Sequence, residues 1–206
     1  NGRPKLAVVG TGTKLMDVGA KYCDGIMLWM PHELIADEIQ RLKQVARDSG
    51  NAPERLMFWG GNPIGMVMTY DTPEELERMK AAPITKFIAA AWGRMSSKAW
   101  LAEGIESPLG PDFHYGQKMI PTEWPTQRVM DVIDRVPPEM VNKGILFWNV
   151  DQLAEHFASA VRSGIHMPTW MDWGPFADPT QRWRAIDRVI EAWRKAAELL
   201  GSARRS

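Results

Sequence analysis

Cysteine is nearly absent. Cys23 is the only one in the chain, so no intrachain disulfide can form, and a reducing compartment is expected. Net charge is absent too. Lys plus Arg number 25 and Asp plus Glu number 25, a balance that gives no long-range attraction to nucleic acid or an anionic membrane. No apolar run approaches the ~20 residues that span a bilayer. No charged-then-apolar leader precedes the first apolar segment. These absences predict a soluble, cytoplasmic protein without nucleic-acid or membrane partners. No metal site is expected, because His114, His156, His166 and Cys23 show no metal-ligand spacing. A Gly-x-Ser-x-Gly elbow and a paired-carboxylate constellation are also missing. No methionine opens the chain at Asn1-Gly2-Arg3-Pro4, which reads as truncation.

The 206 residues fit one domain. Ten Trp and thirteen Met suit either a pocket for a flat or oily ligand or a core built from bulky side chains. Lys5 to Val9 reads as a buried strand, and Leu15 to Tyr22 carries helical spacing. Ile26 to Trp29 reads as a second strand. A helix opens at Pro31-His32, carries Leu34, Ile35, Ile39, Leu42 and Val45 on its apolar face, and closes at Ser49-Gly50. Leu56 to Trp59 and Ile64 to Met68 look like strand, broken by Gly60, Gly61 and Pro63. The alternation predicts parallel strands with right-handed crossovers. Asp71-Thr72-Pro73 starts another helix. Residues 93–127 are rich in Gly and Pro and read as an insertion, with Trp100, Phe113, Tyr115 and Trp124 arguing for order. Helices are expected over Val129 to Val136 and Asp151 to Arg162, and a strand over His166 to Trp173 with Pro168 an awkward member. A last helix runs from about Pro179 to Leu200, with Trp183, Ile186, Val189, Ile190 and Trp193 on its apolar face.

Two turns carry candidate chemistry. Val9-Gly10-Thr11-Gly12-Thr13 joins a strand to a helix. Glycine permits close backbone approach, the helix start offers free N–H groups and a positive dipole end, and the threonines add hydroxyls. Such a turn suits a phosphate, although it is neither a Walker loop nor the three-glycine dinucleotide fingerprint. A tight βα turn with a Thr cap remains the plainer alternative. Trp29-Met30-Pro31-His32 sits at the carboxyl end of the second strand, the edge at which parallel α/β proteins bind ligands. His32 is suited to holding an anion or donating a proton, or simply sits exposed in the helix's first turn. His156 reads as a surface residue in mid-helix. Asp172 either reaches a pocket or caps a turn.

These residues resemble a known family. "KLAVVGTGTKLMDVGAKYCDGIML", Lys5 to Leu28, is similar to the fifth strand, helix and sixth strand of luciferase-like (β/α)8 TIM barrels. Within it, Leu15-Met16-Asp17-Val18-Gly19 and Cys23-Asp24-Gly25 match the family's helix and the "ADG" before its next strand. "WLAEGIESPLGPDFHYGQKMIP" and "VPPEMV", within Trp100 to Val141, resemble the phthiodiolone ketoreductase branch, which uses the deazaflavin coenzyme F420. Asn149 to Gly164 resembles the family's "GTPEEVAEQL…AG" helix, with Trp148-Asn149-Val150-Asp151 in place of Gly-Thr-Pro-Glu.

The resemblance implies an α/β TIM-barrel domain over residues 1–206, with an insertion at about 93–127 and strands five to eight supplied by this chain. It implies an F420-dependent oxidoreductase, or an FMN-dependent monooxygenase of the same fold; a non-catalytic binding or oligomerisation protein on that fold is a further alternative. Gly10, Thr11, Gly12 and Thr13 would hold the cofactor phosphate, and Trp29, Met30 and His32 would line the side of a small, apolar substrate. The catalytic His and acid of the family lie on earlier strands, so the catalytic residues of this chain are unknown and it is expected to be incomplete by itself. A homodimer is expected of the intact enzyme.

Overall fold

A computed structural model describes residues 4–10, 12–61 and 66–202. In chain order the elements are β1 (Ala7–Val8), α1 (Thr13–Tyr22), β2 (Gly25–Leu28), α2 (His32–Asp48), β3 (Met57–Gly60), β4 (Met66–Thr69), α3 (Pro73–Ala81), α4 (Pro83–Trp92), α5 (Ser97–Ala102), α6 (Tyr115–Lys118), α7 (Thr126–Arg135), α8 (Pro138–Gly144), β5 (Ile145–Trp148), α9 (Val150–Arg162), β6 (Met167–Pro168), α10 (Gly174–Ala177) and α11 (Arg182–Ser202). The chain divides into two compact units. One comprises Asn1–Ile64, Ala154–Trp170 and Ala192–Ser206; the other comprises Gly65–Leu153 and Met171–Glu191.

The first unit is a parallel sheet in the order β1-β2-β3-β6. Parallel pairing follows from the helix between consecutive strands, as the alternating pattern requires. Gly25 stands opposite Met57 and Leu28 opposite Gly60. A Cβ on Gly25 would lie 2.5 Å from the Trp59 ring, so this glycine admits the indole across the strand pair. Ile26, Leu28 and Phe58 are fully buried. Onto them α2 lays Ile35, Ile39, Leu42 and Ala46, one helical face, and α1 lays Met16 and Ala20. Each buried aliphatic chain of this size contributes about 1.5–3 kcal/mol. Gly60 has φ of +101° and would place a Cβ 2.5 Å from the Leu28 carbonyl oxygen, so both backbone and space exclude a side chain there.

The second unit pairs β4 with β5 in parallel, Met66 opposite Ile145 through Thr69 opposite Trp148. Its core gathers Met66, Met68, Met79, Ile88, Trp100, Phe113, Trp124, Val132, Met140 and Ile145. Trp100, Phe113 and Trp124 thus order the 93–127 segment, as their residue types suggest. Thr72 caps α3 by accepting from the Glu75 N–H at 3.2 Å, and Glu75 accepts in return from the Asp71 N–H at 2.8 Å.

Four expectations change. Lys5 to Val9 is not a buried strand. Only Ala7 and Val8 pair, and Leu6 and Val9 are 55 % and 66 % exposed, because β1 is the last strand of its sheet. β5 was not foreseen, although Ile145-Leu146-Phe147-Trp148 between Gly144 and Asn149 carries the pattern of a buried strand. The strand expected over His166 to Trp173 shrinks to Met167–Pro168. Pro168 lacks an N–H, and Thr169 instead donates to the Gly60 carbonyl at 3.1 Å. The buried face of α11 is Ala185, Arg188, Ala192 and Ala196, whereas Trp183, Ile186 and Ile190 are exposed. Arg188 turns inward because carboxylates wait there, an arrangement that hydrophobic periodicity does not register.

Candidate functional site

The turn after β1 lies, by chain order, at the carboxyl end of the first unit's sheet. Gly12 is the N-cap of α1 with φ −86° and ψ 133°, and no side chain caps the helix. Its carbonyl accepts from the Leu15 and Met16 N–H groups at 3.0 and 3.1 Å. The N–H groups of Thr13 and Lys14 fall in the first turn, where an α-helix offers no internal acceptor. Gly12, Thr13 and Lys14 are exposed. Thr11 lies outside the described residues.

The two glycines differ in what they permit. A Cβ on Gly10 would meet a Leu15 methyl at 2.3 Å, a packing reason for glycine that rotation of Leu15 would relieve. A Cβ on Gly12 would meet nothing within 4 Å, and the backbone there suits any residue. Neither packing nor conformation explains Gly12. The absent side chain leaves the helix N-terminus open to an approaching anion.

The second turn follows β2. Trp29 is half-buried, and Met30 packs against the core of the first unit. Pro31 is the N-cap of α2, and His32 opens the helix. His32 Nε2 lies 2.8 Å from the Gly61 carbonyl oxygen. A carbonyl only accepts, so Nε2 carries the proton and Nδ1 of the neutral ring is left as an acceptor. The ring stacks on His156 with centroids 4.5 Å apart and planes 28° from parallel.

His156 is not a surface residue. It is 7 % exposed, on the same face of α9 as the buried Leu153 and Ala160. Burial, and secondarily the His32 ring, push its pKa down to about 3. The indole of Trp170 lies 5.8 Å away, and Phe157 stacks on Trp193 at 4.3 Å. This ring cluster was missed by the sequence reading. Its signal was the position of His156 three residues after Leu153 and four before Ala160, a core spacing.

In the second unit, Asp172 caps a turn. It accepts from the N–H groups of Thr69 at 3.1 Å and Gly174 at 2.8 Å and from the Thr69 hydroxyl. Burial raises its pKa, and these hydrogen bonds oppose the rise. Arg188, 1 % exposed, donates to the Thr69 carbonyl at 2.8 Å, to Asp71 at 2.8 Å and to Glu75 at 2.7 Å. Arg184 binds Asp71 at 2.7 Å. These carboxylates are engaged structurally, which leaves them poorly placed for acid–base work. Two cavities, about 460 and 320 Å³, border the loop that contains Ser107 and Pro108, and the smaller also reaches Trp124 and Arg128. None of the residues nominated from sequence lines either one. Among the described residues no three His, Cys, Asp or Glu side chains gather in a way that would hold a metal ion, and no helix is long and apolar enough to cross a membrane.

The model of the luciferase-like monooxygenase family matches residues 1–167. A phthiodiolone/phenolphthiodiolone dimycocerosates ketoreductase of Mycobacterium kansasii is 21 % identical over 160 residues, covering 75 % of this chain and 41 % of the relative. Its Mycobacterium bovis BCG counterpart is 20 % identical over 184 residues, covering 87 % and 46 %. The chain therefore spans less than half the length of these curated relatives. Among solved structures, the coenzyme F420-dependent tetrahydromethanopterin reductase of Methanopyrus kandleri aligns with a TM-score of 0.47 at 11 % identity, covering 80 % of this chain and 44 % of that one. The long-chain alkane monooxygenase LadA aligns with a TM-score of 0.45 at 15 % identity, covering 88 % and 42 %.

Proposed function

The chain belongs to the luciferase-like monooxygenase family of TIM-barrel oxidoreductases, and from that premise we propose that it carries the phosphate-holding turn of an F420-dependent oxidoreductase. Gly12 is the observation that supports this reading most strongly: a glycine without a packing or conformational reason, at the start of an uncapped helix on the carboxyl side of a parallel sheet. The N–H groups of Thr13 and Lys14 would donate to the phosphate, and the exposed Lys14 ammonium adds a positive charge. Gly10, Thr11 and the Thr13 hydroxyl complete the turn. When bound, the deazaflavin supplies hydride chemistry at its C5 position, exchanged with a carbonyl or alcohol carbon. The name of the ketoreductase relatives supports the carbonyl direction.

Trp29, Met30 and His32 are proposed to border the substrate, with the aromatic and thioether surfaces suited to an apolar molecule. The Gly61 carbonyl and the His156 ring fix the orientation of His32, so it would act as a positioned wall whose Nδ1 accepts a hydrogen bond.

Fluorescence titration of the intact protein with F420, and separately with FMN, tests the reading. F420 is expected to bind, and Gly12→Asp to weaken it at least tenfold by adding bulk and negative charge beside the phosphate. Tighter binding of FMN would move the reading to a monooxygenase. Binding of neither would favour a non-catalytic relative. Unchanged affinity in Gly12→Asp would remove the phosphate role.

A further inference from the structure

Phe58 is fully buried in β3, and both of its backbone groups bond to a single residue, His166. The His166 N–H donates to the Phe58 carbonyl at 2.8 Å, and the Phe58 N–H donates to Nδ1 of the His166 imidazole at 3.1 Å. The two rings are nearly parallel, with centroids 6.0 Å apart and planes 19° from parallel. An imidazole nitrogen that accepts carries no proton, so this ring is neutral with its hydrogen on Nε2.

The imidazole bond matters because β6 is short. It comprises only Met167 and Pro168, opposite Trp59 and Gly60. Pro168 has no N–H, and the next donor, Thr169, reaches the Gly60 carbonyl at 3.1 Å. Just beyond it, the Trp170 ring lies 5.8 Å from His156 and 5.8 Å from Phe157, and His156 stacks on His32. Within the first unit a line of contacts thus runs from the His166 imidazole to the wall behind His32.

We propose that His166 is a pH-sensitive staple: neutral, it fastens β6 to β3; protonated, it releases the segment from Met167 to Trp170 and loosens the ring cluster behind His32. Protonation puts a hydrogen on Nδ1, so two donors face each other and the Phe58 N–H, sealed from water, loses its acceptor. His166 is exposed, so a proton reaches the ring without prior unfolding. No neighbouring charge takes over this role. β3, Met57 to Gly60, carries no titratable side chain. α9, whose His156 and Phe157 meet the Trp170 ring, and α11, whose Trp193 stacks on Phe157, carry Glu155, Arg162, Arg194, Lys195 and Glu198 in this unit. Among the described residues none of these pairs with the imidazole, and Arg162 is held by Glu155 at 2.8 Å. His156, with a pKa of about 3, stays neutral while His166 titrates. The inference concerns β6 and stands apart from the cofactor and the phosphate turn.

Nuclear magnetic resonance on the isotope-labelled intact protein tests it. The ring nitrogens of His166 should report the Nε2–H tautomer at neutral pH. As the pH falls from about 7.5 to about 5, the protection factor of the Phe58 amide against hydrogen exchange should drop at least tenfold with the midpoint of the His166 titration. The amide of Ile26, buried in β2, should keep its protection, and the Trp170 indole N–H resonance should shift with the His166 midpoint. His166→Asn separates the staple from general acid damage. Its Oδ1 takes the place of Nδ1 as acceptor and does not titrate, so Phe58 should stay protected across the range. His166→Phe has no acceptor and should leave Phe58 weakly protected at both ends. An Nδ1–H tautomer, protection of Phe58 that does not follow the His166 titration, or an acid loss that persists in His166→Asn would overturn the proposal.

Discussion

Replacing Arg188 by Met would remove the cation at the centre of a buried network while keeping most of the side-chain volume. The guanidinium is 1 % exposed, and Glu75, its partner at 2.7 Å, has a side chain only 6 % exposed. Without Arg188 the Glu75 carboxylate is left buried with the Asp71 N–H as its remaining donor, and the Thr69 carbonyl loses its bond from the guanidinium. Removing one partner of such a pair costs about 3–5 kcal/mol, because the surviving charge keeps its desolvation penalty. Urea unfolding at pH 7 should show that loss. Glu75→Gln in the Arg188→Met background should recover a large part of it by removing the stranded charge. The wild type carries a further signature. Arg184 first, and Arg188 after it, hold the Asp71 carboxyl far below the usual carboxylate range. Its stabilisation is therefore complete above that range and lost as the pH falls beneath it. Arg188→Met should flatten this acid limb. A loss under about 1 kcal/mol, or no recovery with Glu75→Gln, would refute the reasoning.

His156 supplies a second pH dependence. Its folded pKa of about 3 lies below the ordinary histidine value, so the unfolded chain takes up a proton first as the pH drops. Stability from this group is present above about pH 6.5 and falls toward pH 3, by on the order of 5 kcal/mol. Urea midpoints between pH 4 and 7 should slope for the wild type and less for His156→Phe; equal slopes would contradict the burial argument. Gly60→Ala should cost more than about 2 kcal/mol, because φ is positive and the new Cβ meets the Leu28 carbonyl; thermal unfolding checks it. Thr72→Ala should cost about 1 kcal/mol through loss of the α3 cap, and a smaller effect than Gly60→Ala is expected in the same assay.

The sequence was most legible where local chemistry decides the structure. Strand–helix alternation gave the parallel sheet, Gly50 closed α2 at φ +74°, and Thr72-Pro73 opened α3. It was least legible where distant partners decide. Trp183, Ile186 and Ile190 have the spacing of a core face, yet Asp71 and Glu75, more than 110 residues earlier, draw Arg188 inward and rotate α11 accordingly. β1 looks buried by composition because a run of Leu, Ala and Val does not reveal whether a neighbouring strand exists. At the candidate site, the turn after β1 was visible as a glycine pattern. Only the space around Gly10 and Gly12 separates the glycine needed for packing from the one that is not. His32 was found from its place after β2, whereas its contacts with Gly61 and His156 depend on how strands and helices meet.

The phosphate turn is tested most directly by following backbone amide resonances of the isotope-labelled intact protein as F420 is added. Saturable shifts concentrated at Gly12, Thr13 and Lys14, and abolished in Gly12→Asp, are predicted. Binding that leaves those three amides unmoved would contradict the account.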